Sequence, residues 1–426
     1  MNQFSRRQFI RLLGAAGVAG AGSNLISCTK GAPRVVIVGG GFGGATCAKY
    51  IKKFNSGIDV TLIEPAKRFV TCPFSNAVLG GLLPGMSDIS HGYEAQAARG
   101  VRVMHDMVTE VDAVKHKVKL QGGQTLDYDK LIVSPGIDFR WDAVVGHSAE
   151  VAEQIPHAWQ AGTQTEILKK QLHDMDDGGV VIIAPPGNPF RCPPGPYERA
   201  SLIAHYLKNN KPKSKILILD SKDKFSKQPL FMQGWEALYP GMIEWVSAEK
   251  GGRIERVDAA EGTLHNDQGQ SFKGDVINLI PHQKAAPLAF AAGLTDDSGW
   301  CPVDQRTFES KIHKDVYVLG DACIAGKMPK SGFAANSQGK VTAAAVVSAL
   351  GKTPMPEPSY VNTCYSLISP DYGISVAAVY RLNEKGIYAV EGSGGVSPKD
   401  VDADFRAREA DYARGWYSSI THDAFA

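Results

Sequence analysis

The chain has 426 residues, 43% of them apolar and 21% charged, ordinary proportions for a globular protein large enough for two or three domains. Its 46 Lys and Arg nearly cancel 44 Asp and Glu, and without any basic block this balance argues against a nucleic-acid partner. The seven cysteines form no C-x-x-C, no C-x-x-C-H haem attachment run and no Cys/His cluster at zinc spacing, so no metal site is expected and any haem would sit on another chain.

Residues 1–30 read as a targeting segment and stand outside the fold argument. Ser5-Arg6-Arg7-Gln8-Phe9-Ile10-Arg11 follows the twin-arginine pattern S-R-R-x-F-L-K, and the weakly apolar run after it is too short to span a bilayer. That route exports folded proteins, often with cofactor bound, and implies a periplasmic destination. Leu25-Ile26-Ser27-Cys28 also resembles a lipobox, which leaves open a lipid anchor at Cys28 or ordinary cleavage nearby. Removing residues 1–27 takes away Arg6, Arg7 and Arg11 and no acid, lowering the formal charge from +2 by three to −1. No other apolar stretch reaches the length of a membrane span.

Arg34–Val38 is a compact apolar strand, followed by Gly39-Gly40-Gly41-Phe42-Gly43-Gly44, an alanine-rich helix from Ala45 to about Phe54, and a second strand ending in Glu64. This is the dinucleotide fingerprint in its proper context. Gly39 makes the turn, Gly41 lets backbone approach a pyrophosphate beside Phe42, Gly44 lets helix pack on strand, and Glu64 can take a ribose hydroxyl. The fingerprint alone does not separate FAD from NAD. Near the other end, Asp315–Ala322 is a short strand ending in Gly320-Asp321, the motif that closes an FAD site in two-dinucleotide-domain flavoproteins.

Between these pieces lies Val180–Glu198, VVIIAPPGNPFRCPPGPYE. It opens like the first strand of another nucleotide unit, and Lys215–Asp220 keeps the usual second strand with its trailing acid. The expected phosphate loop, however, carries six prolines around Cys192. Proline offers no N–H to a phosphate and fixes its own φ, so the loop is suited to presenting a sulfur. The fold class expected is α/β with two Rossmann-like dinucleotide-binding domains, the second degenerate, plus a C-terminal α+β interface domain over the flavin. The boundaries expected are 31–150 and 285–355 for the FAD domain, 151–284 for the degenerate NAD-type domain and 356–426 for the C-terminal domain. Asn278–Pro281 resembles a crossover strand returning to the FAD domain, and 403–420 a helix.

From about Pro33 to the C-terminus the chain resembles the flavoprotein subunit of flavocytochrome c sulfide dehydrogenase. The resemblance is carried by the fingerprint, Thr71-Cys72-Pro73, Arg191–Glu198, Trp300–Asp304, Pro329–Gly332, Ala335–Lys340, Gly320-Asp321 and Asn362–Tyr365. It implies FAD held by a thioether at Cys72, a redox-active cystine of Cys192 and Cys364, Glu198 as the nearby acid, and Trp416 shaping the flavin pocket. The implied substrate is hydrosulfide, and the implied partner is a c-type cytochrome carrying the haem. On their residues alone, Cys47, Cys301 and Cys323 read as packed thiols. Three rival functions remain in view. A sulfide:quinone oxidoreductase would need an apolar inserting surface, which the six charges between Asp404 and Arg414 oppose. An NAD(P)H-dependent disulfide reductase is opposed by the proline loop. A non-catalytic flavoprotein accessory of a sulfur-oxidising complex is not excluded by the motifs.

Overall fold

The computed structural model describes residues 31–426; the targeting segment and Cys28 lie outside the described residues. Strand β1 (Arg34–Val38) is buried at four of its five positions, as its unbroken apolar run demands, and leads into helix α1 (Phe42–Phe54). The helix begins inside the glycine run, earlier than its alanine-rich stretch suggests, because Gly41 takes the N-cap position. Strands β2 (Asp59–Ile63), β3 (Val101–Met104) and β4 (Lys130–Val133) follow, then β5 (Ile137–Arg140), which leaves the first sheet. The central stretch supplies β6 (Val180–Ala184), α2 (Gly195–Asn210), β7 (Lys215–Leu219), β8 (Ile243–Val246), β9 (Val276–Leu279) and β10 (His282–Ala285). The chain continues through β11 (Val316–Val318), α3 (Gly332–Gly351), the long strands β12 (Tyr360–Ser369) and β13 (Tyr372–Asn383), β14 (Gly386–Ala389) and α4 (Ala403–Phe425).

Two parallel sheets organise these elements. The first has the order β3-β2-β1-β4-β11 and the second β8-β7-β6-β9. Each is doubly wound, so each has a point where strand order reverses: between β1 and β4 in the first, between β6 and β9 in the second. Ligand crevices open beyond the carboxyl ends of strands at such points. The glycine run follows β1, and the cysteine loop follows β6. The sequence therefore aims both motifs at switch points. Val276–Leu279 belongs to the second sheet and does not itself return to the first. Pro281 ends the run for want of an N–H, and β10 then makes the return by pairing antiparallel with β5.

Helices α1 and α3 touch almost backbone to backbone. A Cβ on Gly339 would stand 2.7 Å from the Gly43 carbonyl oxygen, and the Asn336 amide donates to Thr46 Oγ1 at 2.9 Å. The antiparallel sheet of β12, β13 and β14 is covered by α4, whose buried Arg406 and Glu409 pair with each other. Two of the six charges noted in this helix thus face inward, while Asp404, Arg408, Asp411 and Arg414 are exposed. Among the described residues no helix is long and apolar enough to cross a membrane.

Gly44 and Gly415 should respond oppositely to alanine. A Cβ at Gly44 would meet the Gly39 carbonyl oxygen at 1.9 Å, whereas at Gly415 it would meet nothing within 4 Å. Gly44→Ala is expected to lose about 3 kcal/mol in denaturant unfolding. Gly415→Ala, on an exposed face of α4, should gain about 1 kcal/mol.

Candidate functional site

A cavity of about 410 Å³ opens at the first switch point, lined by Gly39, Gly41, Phe42, Glu64, Cys72, Arg191 and Asp321 among others. Gly39 turns the chain at φ +97°, and any Cβ there would collide with the Ser134 carbonyl oxygen, 2.2 Å away. The Glu64 carboxylate accepts from Gly40 N at 2.8 Å and from Ala66 N at 3.0 Å, so the strand-end acid is fixed at the cavity edge. Gly44 does not line the cavity; it sits against the Gly39 carbonyl and keeps the helix close to the turn.

The residues fit a dinucleotide carrying hydroxyls. Asp321 Oδ1 is buried and accepts no hydrogen bond, an expensive state that a ligand donor would relieve. Burial raises the Asp321 carboxyl, while Arg191 and Lys330 oppose the rise. Lys330 Nζ donates to the Asp321 carbonyl at 2.7 Å and holds the loop in place.

A second, smaller cavity of about 60 Å³ adjoins it, lined by Cys72, Arg191, Cys192, Glu198, Phe333, Cys364 and Trp416. Cys72, Pro73, Arg191 and Gly332 line both. Water-sized occupancy needs roughly 10–15 Å³, so the smaller space suits a few atoms of a small anion. Cys192 arrives from the proline loop in the left-handed region, φ +57°, a conformation costly for a side-chain-bearing residue. Its N–H donates to the Lys330 carbonyl at 2.8 Å, and its own carbonyl accepts from Gly195 N at 2.8 Å. A Cβ on Gly195 would lie 2.7 Å from the Trp159 ring and 3.0 Å from Cys192 Sγ. Cys364 comes from β12, opposite Val376. Cys192 and Cys364 are both thiols in this structure.

Glu198 lies in the first turn of α2, with Pro196 beside it at the helix start. Its carboxylate accepts from Asn76 Nδ2 at 2.8 Å and from Leu367 N at 2.9 Å. Loss of water raises the Glu198 carboxyl despite these bonds and despite Lys227 and Arg199 nearby. Desolvation also raises both thiols, Cys192 further through the Cys364 and Glu198 charges. Lys227 pulls the Cys364 thiol back down. Its buried ammonium donates to Ser366 Oγ at 2.8 Å and contacts the Cys364 carbonyl at 3.5 Å. Trp416 stacks at 6.1 Å on Phe333 and leaves its Nε1 buried without an acceptor.

The candidate residues therefore gather at two adjoining cavities, Cys72 in the shared wall, with Gly44 behind the turn. Sequence reasoning missed four residues. Arg191 stood inside a quoted motif but was given no role. Asn76 and Lys227 carry no motif at all. Arg199, one position after Glu198, is buried with its guanidinium 4.8 Å from the centre of the Trp159 ring; an arginine in an otherwise apolar helix run was the available signal. Among the described residues no cluster of three His, Cys, Asp or Glu is placed to hold a metal.

Two switch-point crevices, one built for a dinucleotide and the other filled by a thiol loop, define a two-dinucleotide-domain flavoprotein oxidoreductase. Residues 33–182 match the pyridine nucleotide-disulphide oxidoreductase family, 165–281 the central region of the sulfide dehydrogenase [flavocytochrome c] flavoprotein chain, and 356–425 the flavin-binding region of flavocytochrome c sulphide dehydrogenase. The sulfide dehydrogenase [flavocytochrome c] flavoprotein chain of Chlorobaculum thiosulfatiphilum is 67% identical over 48 residues, 11% of this chain and all of that sequence. The chain belongs to the family of flavocytochrome c sulfide dehydrogenase flavoprotein chains and has a flavin cofactor. The mitochondrial sulfide:quinone oxidoreductase of Dictyostelium discoideum is 24% identical over 303 residues, covering 68% of this chain and 66% of that one. The sulfide:quinone oxidoreductase structure from Aquifex aeolicus superposes with a TM-score of 0.68 at 15% identity, covering 92% of each chain, a likeness of fold.

Lys227 offers a direct check on the electrostatics. In the reduced protein, Lys227→Met should move the pH dependence of iodoacetamide alkylation at Cys364 upward, with Cys192 less affected. Peptide mass spectrometry across a pH series reads both sites.

Proposed function

We propose that this chain oxidises hydrosulfide to sulfur or polysulfide at a Cys192–Cys364 cystine and passes the electrons to a c-type cytochrome subunit that carries the haem. The observation that carries this reading is the small cavity shared by Cys192, Cys364, Glu198 and Cys72, adjoining the dinucleotide cavity through common wall residues. Cys72 would hold FAD through a thioether. When bound there, the flavin supplies two-electron acceptance and single-electron release.

Hydrosulfide is a small soft anion, and a cystine is its natural electrophile by thiol–disulfide exchange. A bond forms between the sulfide sulfur and Cys192 Sγ as the Cys192–Cys364 bond breaks. The persulfide stays on Cys192, and the departing Cys364 thiolate faces the Lys227 ammonium, which stabilises it. A second hydrosulfide attacks the outer sulfur of the neutral persulfide and expels the Cys192 thiolate. Glu198 takes a proton from the hydrogen disulfide so formed and passes it to Cys192, and a disulfide anion leaves. Two reduced cysteines then hold the two electrons of the net oxidation, to be drawn off when the cystine re-forms. The positive end of α2 points at this site, favouring anions there. The twin-arginine pattern supports a periplasmic location, and the proposed tether at Cys72 suits a place without a pool of free FAD.

Four measurements test this. Cys192→Ser should abolish sulfide-dependent bleaching of the flavin; an unchanged rate would favour an accessory role. Because burial raises Glu198, the rate should fall as pH drops through a value above the ordinary carboxylate range, where the acceptor becomes protonated. Glu198→Gln should lower the rate roughly 100-fold and flatten that acid limb. Sulfide should drive reduction of cytochrome c, and reduction of a quinone alone would overturn the acceptor assignment. The mass of the denatured chain should include FAD and lose it in Cys72→Ser; the same spectrum identifies the N-terminus and any lipid on Cys28.

A further inference from the structure

Cys301 and Cys323, which read as packed thiols from sequence, lie directly opposite each other across an isolated parallel bridge. The register is fixed from both sides: Cys301 N donates to the Ala322 carbonyl at 3.0 Å, and Ile324 N donates to the Cys301 carbonyl at 2.9 Å. Residues so paired sit about 4.8 Å apart with side chains on the same face, inside the Cα range of about 4.4–6.8 Å that a disulfide requires. The bridge stands alone, outside any ladder, so neighbouring pairs do not lock its spacing. Cys301 is buried, and Cys323 is buried except where it forms part of the wall of a separate cavity of about 440 Å³ with Trp300, Met328 and Lys330. Cys323 Sγ approaches the Gly320 carbonyl at 3.2 Å, on the loop that carries Asp321.

We infer that Cys301 and Cys323 form a second disulfide, chemically separate from the sulfide-oxidising pair, that ties the Trp300–Val303 segment to the Gly320–Ala322 loop of the flavin site. The oxidant is an external small-molecule or protein disulfide entering through the cavity beside Cys323. The Cys323 thiolate attacks one sulfur of that disulfide and expels the other as a thiol. Cys301 then attacks Cys323 Sγ, expels the second thiol, and the pair has given up two electrons and two protons. Lys330 is the cation at this site: its ammonium lies 3.0 Å from the Cys323 carbonyl and 3.7 Å from the centre of the Trp300 ring, and it favours the thiolate against the burial that pushes each thiol up to about 12. Exchange should therefore be slow at neutral pH and faster in alkali.

The test treats the full-length holoprotein with glutathione disulfide, denatures it in excess N-ethylmaleimide, and maps peptides without reduction. The expected product joins the Cys301 and Cys323 peptides and is lighter by two hydrogens than the dithiol. In Cys301→Ser, Cys323 should instead accumulate as a mixed disulfide with glutathione, since nothing resolves it. Maleimide on both Cys301 and Cys323 in the treated wild type would overturn the inference, as would either residue bonded to Cys192 or Cys364. An unmodified Cys323 in Cys301→Ser would overturn the proposed route of entry.

Discussion

The interaction on which the site depends is the buried guanidinium of Arg199. It has no carboxylate within ion-pair distance among the described residues, yet it is almost wholly removed from water. Four acceptors replace the solvent: Asn76 Oδ1, the carbonyls of His157 and Ala158, and Asn278 Oδ1. These come from the short helix Ser75–Leu79, the segment entering the second sheet's unit, and β9. A charge buried this way demands every one of its acceptors. Arg199 thereby locks three separate pieces of chain around the helix that bears Glu198, and Asn76 passes the constraint on to the Glu198 carboxylate. Burial lowers the Arg199 pKa to about 10, a shift opposed by the anions a sulfur site would carry.

The two switch points show how one architecture serves unlike chemistries. Beyond β1, glycines remove side chains so that backbone can meet a ligand. Beyond β6, prolines stiffen the backbone and hold Cys192 at a positive φ that a free loop would abandon. The bond from Cys192 N to Lys330 links the cysteine loop to the segment that also secures Asp321. The dinucleotide cavity and the cysteine-lined cavity are consequently braced by the same lysine-bearing stretch.

Much of this was legible in the sequence because local rules govern it. The apolar runs at Val35–Val38 and Val181–Ala184, the glycine turn, the trailing acid Glu64 and the proline loop each announce their role within about twenty residues. Their gathering did not follow from local pattern. Cys364 was tied to Cys192 only through resemblance, since nothing in a β-strand with mixed neighbours marks one cysteine as reactive. Lys227 and Asn76 escaped notice because their significance comes from what folds against them. The Asn278 segment shows a related limit: its strand stays in the second sheet and the return begins only after Pro281, a step that local pattern does not mark.

The hydrogen bond between Glu198 and Leu367 spans 169 residues. Cys192 and Cys364 are comparably distant, so during synthesis the first thiol leaves the ribosome long before the second exists. No local turn can bring them together; only docking of the β12–β13 hairpin onto α2 does so. The pair thus reports on the maturation of the chain. A polypeptide stalled before that docking holds Cys192 without Cys364 beside it, and a Cys192–Cys364 bond would certify that the β12–β13 hairpin has been put in place.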